Sequence, residues 1–224
     1  MKKLKALIML LFVSVVVLAT FFSQYSSLVS DIESTAKSKE AQIDRYIDLS
    51  KGFIDLMQIY GDNFFDQGIA SDSELCDLLH YDAESDRYDL DDVAGTKYQK
   101  EAGSLTGIGS IPTSGTEREE LNLAFRFNQH FSSIYKKLPD VAWMYYTSKN
   151  DFINIYPWIS SDEFQFEYDL KEEQFFNNVI PENDPLRASL WTSVYLDHAG
   201  KGLMVTLSSP IYDEDTFMGA VSLD

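Results

Sequence analysis

Outside its carboxylates this chain has few residues able to do chemistry: three histidines and one cysteine in 224 residues, against 36 acidic side chains. Cys76 and His80 stand four apart on a predicted helix and can share a face. Two such ligands make neither a structural zinc site nor a nucleophile with its orienting third group, so a buried thiol beside a surface imidazole is the expectation. His130 falls within a helix and His198 in a turn. No Gly-x-Ser-x-Gly or His-Glu-x-x-His motif occurs, so no catalytic residue, metal ligand or cofactor is assigned. The C-terminal third allows a different chemistry. Tyr195 and Asp197 are two apart on a predicted strand and point to one face. A carboxylate on a rigid element among aromatic faces suits a small cation, because the ion pair and the cation–π attraction both gain when water is excluded. Tyr145, Tyr156, Trp158, Phe175, Trp191 and Tyr195 are available as walls. Each also suits plain core packing, and Asp197 heads an Asp-His-Ala-Gly turn, where a carboxylate commonly bonds the backbone.

The elements that must position these residues follow from pattern. Between Leu28 and Phe65 there is no proline, and Ile32, Ala36, Ile43, Tyr46, Phe53, Met57, Tyr60 and Phe64 fall on a 3/4 spacing, which predicts one long helix. Gly52 lowers its propensity without ending the seam. A short helix over Ser73–Leu79 follows, with Ser71 and Glu74 spaced as a capping box. Asp82 to Pro112 is polar and turn-rich. Its Gly103-Ser-Leu-Thr-Gly-Ile-Gly109 lacks the Lys-Ser/Thr of a phosphate loop, and Asp89, Asp91 and Asp92 miss the calcium-loop spacing because Val93 takes the third ligand position. Loop solvation is the expectation for both. Glu117–Leu138 is the second strong helix, with Thr116 and Glu119 as a capping box and Pro139 as its stop. Val141–Thr147 and Phe152–Tyr156 read as a hairpin. Val194–Leu196, Leu203–Ser209 and Phe217–Leu223 read as an antiparallel meander. Five strands with preceding helices and one excursion from Pro157 to Leu190 predict an α+β domain with a mostly antiparallel sheet.

The segment from Trp191 to Asp224, with Trp143-Met-Tyr-Tyr-Thr-Ser148, Ile155-Tyr-Pro-Trp158 and Asn183-Asp-Pro-Leu-Arg187, resembles the Cache domains, PAS-like extracytoplasmic sensors of bacterial signalling receptors. The likeness covers Asp31 to Asp224. In that family a Tyr-x-Asp, matched by Tyr195 and Asp197, and an Asp closing the last strand, matched by Asp224, contact a small ligand. In amino-acid-sensing double-Cache domains an Arg-x-Trp-Tyr motif upstream binds the ligand carboxylate. Here Glu173-Gln-Phe-Phe176 stands in its place, and Arg187 has no position that warrants a substitute. The resemblance therefore implies an amine, or another cationic or polar metabolite, over an ordinary α-amino acid. Gly-Ser-Leu-Thr-Gly stretches are similar to those of Cache sensors that control diguanylate cyclases, so that output is the first expectation for the parent receptor. A histidine kinase or a chemoreceptor is the alternative.

Three lysines precede a seventeen-residue apolar run, Ala6–Phe22. Seventeen helical residues rise roughly 25 Å, enough to cross a hydrocarbon core with their flanks. The lysines place the N-terminus in the cytoplasm. A cleaved signal peptide ending at Ala19 is the competing reading, and the length of the run favours the anchor. The expected layout is a cytoplasmic start and inner-membrane anchor over 1–27, a signalling helix over 28–66, and a periplasmic sensor lobe over 67–224, before a second lobe and output domain. Removing the three lysines leaves 15 basic residues against 36 acidic, a charge of −21 on the exported part. Nucleic acid is excluded as a partner. The long helix is expected to pair with a second copy in the full receptor, as a homodimer. An anchored exported enzyme and a pilin-like subunit are the readings of another class. The first lacks a nucleophile or metal set, and the second an acidic residue inside the apolar run.

Overall fold

The computed structural model describes residues 2–67, 72–197 and 199–224. Ser71 and His198, assigned above to a capping box and a turn, lie outside them. The chain divides into two compact units, Met1–Asp48 and Leu49–Asp224. One helix, α1 (Lys2–Asp66), contributes to both. It is continuous through the apolar run, and its sequence from Lys3 onward contains an 18-residue window of mean hydropathy 2.7 with none of it buried, long and apolar enough to cross a membrane. Ile32 and Ile43 are also exposed.

The last turns of α1 belong with the lobe because Ser50, Ile54, Met57 and Phe64 are buried there. Ser189 Oγ donates to Asp55 at 2.6 Å, and the Tyr212 N–H donates to Asp62 at 2.8 Å. Gly61 permits this approach: a Cβ there would stand 2.7 Å from Ile211 Cδ1.

After α1 the lobe runs through a 3-10 turn at Glu74–Leu78, β1 (His80–Asp82), β2 (Arg87–Asp89), α2 (Gln99–Ala102), β3 (Ser104–Ile108) and α3 (Gly115–Tyr135). There follow β4 (Met144–Ser148), β5 (Phe152–Tyr156), α4 (Gln174–Asn177), β6 (Leu190–Trp191), β7 (Tyr195–Leu196), β8 (Leu203–Met204), β9 (Leu207–Asp213) and β10 (Thr216–Leu223). Eight strands form one antiparallel sheet in the order β1-β2-β3-β5-β4-β10-β9-β6, and β7 and β8 form a separate ribbon. The α+β class read from the sequence is the class observed.

Three local expectations change. The Gly103–Gly109 stretch is not a solvated loop: it contains β3, with Ser104, Leu105 and Thr106 buried. Gly107 is needed because a Cβ would lie 2.3 Å from the ring of Tyr88 packed over it. Helix α3 starts at Gly115 after Ser114 with no side-chain cap, so the Thr116 and Glu119 box does not form. His80 lies in β1, off the Cys76 turn, while Cys76 is buried, its thiol pushed up to about 11 by burial and 3.5 Å from Asn122 Oδ1.

Alternation gives the sheet two unlike faces. Tyr146, Asn154 and Tyr156 face α3, where Asn154 Nδ2 donates to the Ala124 carbonyl at 3.0 Å and the rings of Tyr156 and Tyr135 meet edge to face. Tyr60 of α1 packs on α3 from outside, 5.8 Å from the Phe127 ring. Tyr145, Ile153, Ile155 and Ala220 face the other way, into a core closed by Phe166, Leu170, Phe175, Phe176 and Val179 of the Pro157–Leu190 excursion. Asp91 pins that excursion by accepting from Ser161 N at 3.1 Å and Ser161 Oγ at 2.7 Å.

Candidate functional site

On the excursion side of the sheet a small cavity opens among Trp143, Tyr145, Ile153, Ile155, Phe164, Leu170, Phe175, Tyr195, Asp197, Ala199 and Asp224. Strand pairing places most of these. Tyr145 lies opposite Ile155 in β5 and Ser222 in β10, so all three share a face. Asp224 continues β10 by donating its N–H to the Trp143 carbonyl at 2.9 Å and accepting the Ala142 N–H at 2.9 Å, which sets its side chain beside Trp143. The ribbon β7–β8 then brings Tyr195 and Asp197 across the mouth.

The two carboxyls are held differently. Asp224 Oδ1 accepts from Thr206 Oγ1 at 2.6 Å and Tyr145 Oη at 3.0 Å. Because Thr206 spends its one hydroxyl proton on Asp224, the 2.7 Å contact between Tyr195 Oη and Thr206 Oγ1 must be donated by the tyrosine. Burial first, and the charge of Asp197 as a lesser contribution, push the Asp224 carboxyl up to about 7 against these donors. Asp197 is half-buried. Its Oδ2 accepts from Trp143 Nε1 at 3.1 Å and the Lys201 N–H at 2.7 Å, and its Oδ1 from the Ala199 N–H at 3.0 Å. The turn-capping role and the cavity position are thus held by the same side chain. Among the described residues neither carboxylate makes an ion pair, and no Lys or Arg lines the cavity.

Of the eight residues singled out from sequence, five converge here: Tyr145, Phe175, Tyr195, Asp197 and Asp224. Three do not. Tyr156 pairs with Met144 and so faces α3, its hydroxyl donating to the Lys100 carbonyl at 3.2 Å. Trp191 pairs with Leu207 at the sheet edge, is 38% exposed and points away from the cavity face. Trp158 lies beyond the end of β5 and its indole N–H is enclosed without an acceptor among the described residues. Arg187 is engaged elsewhere, stacked 3.8 Å from the Tyr212 ring centre and bonded to Asp215 at 2.8 Å. Trp143, Ile153, Ile155 and Thr206 escaped the sequence reading, although Trp143 shares strand parity with Tyr145. Phe164 sits in an irregular segment and Leu170 in a four-residue 3-10 helix, Tyr168–Lys171, with no pattern to mark either.

The free space is about 20 Å³, enough for one water. The site is small, with aromatic rings against two carboxyls.

A second buried carboxyl lies on the opposite face. Glu120 of α3 accepts from Ser148 Oγ at 2.6 Å, Tyr146 Oη at 2.7 Å and Asn150 Nδ2 at 2.6 Å. Burial still pushes it up to about 7. Both Glu120 and Asp224 therefore hold a proton in the folded state at pH values where the unfolded chain has lost it. Stability contributed by such groups is complete below their unfolded values and falls as pH rises toward 7. His130, whose proton affinity burial lowers, acts in the opposite sense below its ordinary value of 6.5. The two carboxyl shifts dominate, so thermal denaturation of the chain should give a midpoint on the order of 5 °C higher at pH 5.5 than at pH 8. An equal or lower midpoint at pH 5.5 would show that these carboxyls are ionised in the fold.

Residues 114–224 match the family model described as methyl-accepting chemotaxis protein-like, first PDC sensor domain. The comparison with curated proteins gave no match. Among solved structures, the chain is similar to the sensory domain of the Campylobacter jejuni chemoreceptor Tlp3 with isoleucine bound, at 14% identity, TM-score 0.35, over 83% of this chain and 60% of that one. It is also similar to the ligand-binding domain of the Pseudomonas aeruginosa PAO1 amino acid chemoreceptor PctC in complex with GABA, at 16% identity and TM-score 0.31, over 41% and 39%. The ligand-binding domain of Mlp24 with asparagine gives 15% identity and TM-score 0.31, over 48% and 50%. The chain spans less than two thirds of the length of each of these structures.

Proposed function

We propose that Leu49–Asp224 is a ligand-binding sensor lobe of a chemoreceptor-like membrane protein, and that its ligand is a small amine or other cationic, polar metabolite. One observation carries the ligand class: two carboxyls, Asp197 and Asp224, meet in an aromatic cavity whose described lining has no basic residue. Such a site stabilises an ammonium group through charge-assisted hydrogen bonds and ring faces, and has nothing among those residues to hold a carboxylate. The family match over 114–224 supports the sensor role and favours a chemotaxis-type output over the diguanylate cyclase expected from sequence. In the sensor reading, the β7–β8 ribbon, which is not part of the main sheet, is the element through which a ligand would enter. Calorimetric titration of the full chain in nanodiscs with primary amines and with α-amino acids tests the reading. Binding of amines is expected, and exclusive binding of α-amino acids overturns it.

The exposed apolar start of α1 supports an inner-membrane anchor with the lobe outside. In the same reading α1 is the transmitting element and pairs with a second copy. Ligand changes output only by its differential affinity for two arrangements of that helix pair. Single cysteines at Ile32, Ala36 and Ile43, all on one seam, are expected to cross-link in the membrane-embedded protein. Absence of cross-linking at all three positions leaves α1 as a stalk.

A further inference from the structure

We infer that Lys201 is a tethered competitor for the cation site, a built-in ammonium that an incoming amine has to displace. The inference rests on the amine reading of the Asp197–Asp224 cavity and adds the element that regulates it. Lys201 is exposed, yet its Nζ lies 4.9 Å from the ring centre of Trp143, a cavity wall. Its backbone N–H donates at 2.7 Å to Asp197 Oδ2, the same oxygen that accepts from Trp143 Nε1 at 3.1 Å. One side-chain oxygen thus ties the indole and the lysine backbone together.

The backbone holds the lysine at this place. Gly200 and Gly202 on either side adopt φ values of 86° and 101°, which other residues rarely reach. The Asp197 N–H donates to the Gly202 carbonyl at 2.8 Å, closing the turn. The stem of Lys201 therefore starts from a fixed point beside the indole. An ammonium on an aromatic face is attracted by the ring quadrupole, and this ring is the one whose N–H is held by Asp197. A ligand ammonium seeking the same indole meets a like charge already there. The arrangement lowers affinity for every cation, and more for a diamine than for a monoamine, because a second charge near the mouth adds repulsion.

Two variants and the wild type of the full chain in nanodiscs test this, with ethylammonium, tetramethylammonium and 1,4-diammoniobutane as probes. Lys201→Met keeps length and removes charge; Lys201→Arg keeps charge. Lys201→Met should bind the monoammonium probes about three- to tenfold tighter and the diammonium probe tighter still. Lys201→Arg should stay near wild type. In the ligand-free wild type, the Lys201 ε-methylene protons should be shifted upfield by the indole ring current and return toward the ordinary lysine position at saturating probe. If the wild type binds these probes and Lys201→Met binds them no tighter, the competitor role is overturned while the amine reading stands. If no probe binds any variant, Lys201→Met included, the amine reading fails and takes this inference with it.

Discussion

Asp224→Asn is expected to weaken ammonium binding roughly thirtyfold or more while raising thermal stability at pH 8. The two effects have one cause. The wild-type carboxyl is enclosed and pushed up to about 7, so ionising it above that pH costs the folded state free energy. An amide avoids that cost and still accepts the Tyr145 and Thr206 hydroxyl protons through its oxygen. It offers no charge to a ligand cation, however, and removing one partner of a desolvated charge pair costs about 2–5 kcal/mol, a loss of roughly thirtyfold or more in affinity. Calorimetry and melting at pH 8 on the same preparation read both. Asp197→Ala should weaken binding by a similar factor with the opposite stability change, because it strips the acceptor from Trp143 Nε1 and two turn N–H groups. Undiminished amine affinity in Asp224→Asn would remove Asp224 from the ligand site. Wild-type amine affinity should also rise between pH 6 and pH 8, as Asp224 loses its proton.

Tyr195, Asp197 and Asp224 were singled out through the Cache resemblance, and strand parity placed the first two on one face. Tyr195 and Asp197 are two apart, and the aromatic run around Tyr145 alternates. What defeated the reading was that parity assigns residues to one of two faces without saying which face is which. Tyr156 is an aromatic at the end of a hairpin strand, as Tyr145 is an aromatic within one, yet the register Met144↔Tyr156 sends it to the helix side. Trp191 fails for the same reason through its pairing with Leu207. Register across strands is a long-range property, and no single segment carries it.

The fold was legible where periodicity is strong, in α1, α3, the β4–β5 hairpin and β10, whereas β6 was not read and Leu203–Ser209, read as one strand, is β8 and the start of β9. The first three strands were hidden in a segment that looks like loop. His80–Asp82 and Arg87–Asp89 are only three residues each, too short for alternation to register. In β3 the pattern is Ser-Leu-Thr-Gly-Ile, whose small polar residues are buried because neighbours press on them from both sides, as Tyr88 does on Gly107. The apolar run and the 3/4 seam both lie in α1, since nothing between Phe22 and Leu28 breaks the helix.

The acidic residue with the greatest expected structural effect was invisible from sequence, because Glu120 sits among five acidic or basic side chains from Glu117 to Arg126 and resembles a solvated helix face. Alternation on β4 explains its burial: Tyr146 and Ser148 point to α3, and both hydroxyls, with Asn150 Nδ2, end on its carboxyl. Gly219 clears the space on the neighbouring strand, where a Cβ would stand 2.7 Å from Tyr146 Oη. Glu120→Ala removes the one acceptor that three enclosed donors share and leaves a void, a loss of about 3–5 kcal/mol by analogy with other disrupted buried charge networks. Glu120→Gln keeps the shape and one acceptor oxygen. It should cost much less at pH 8, where the wild-type carboxyl is ionised at a penalty, and should remove part of the pH dependence described above. Urea denaturation at pH 5.5 and pH 8 on the three proteins separates the cases. The network has the assigned role if Glu120→Ala is severely destabilised at both pH values while Glu120→Gln narrows the gap between them. A Glu120→Ala protein within about 1 kcal/mol of wild type, the range of an ordinary hydrogen bond, would mean that water replaces the carboxylate and that α3 is held to β4 by its apolar contacts alone.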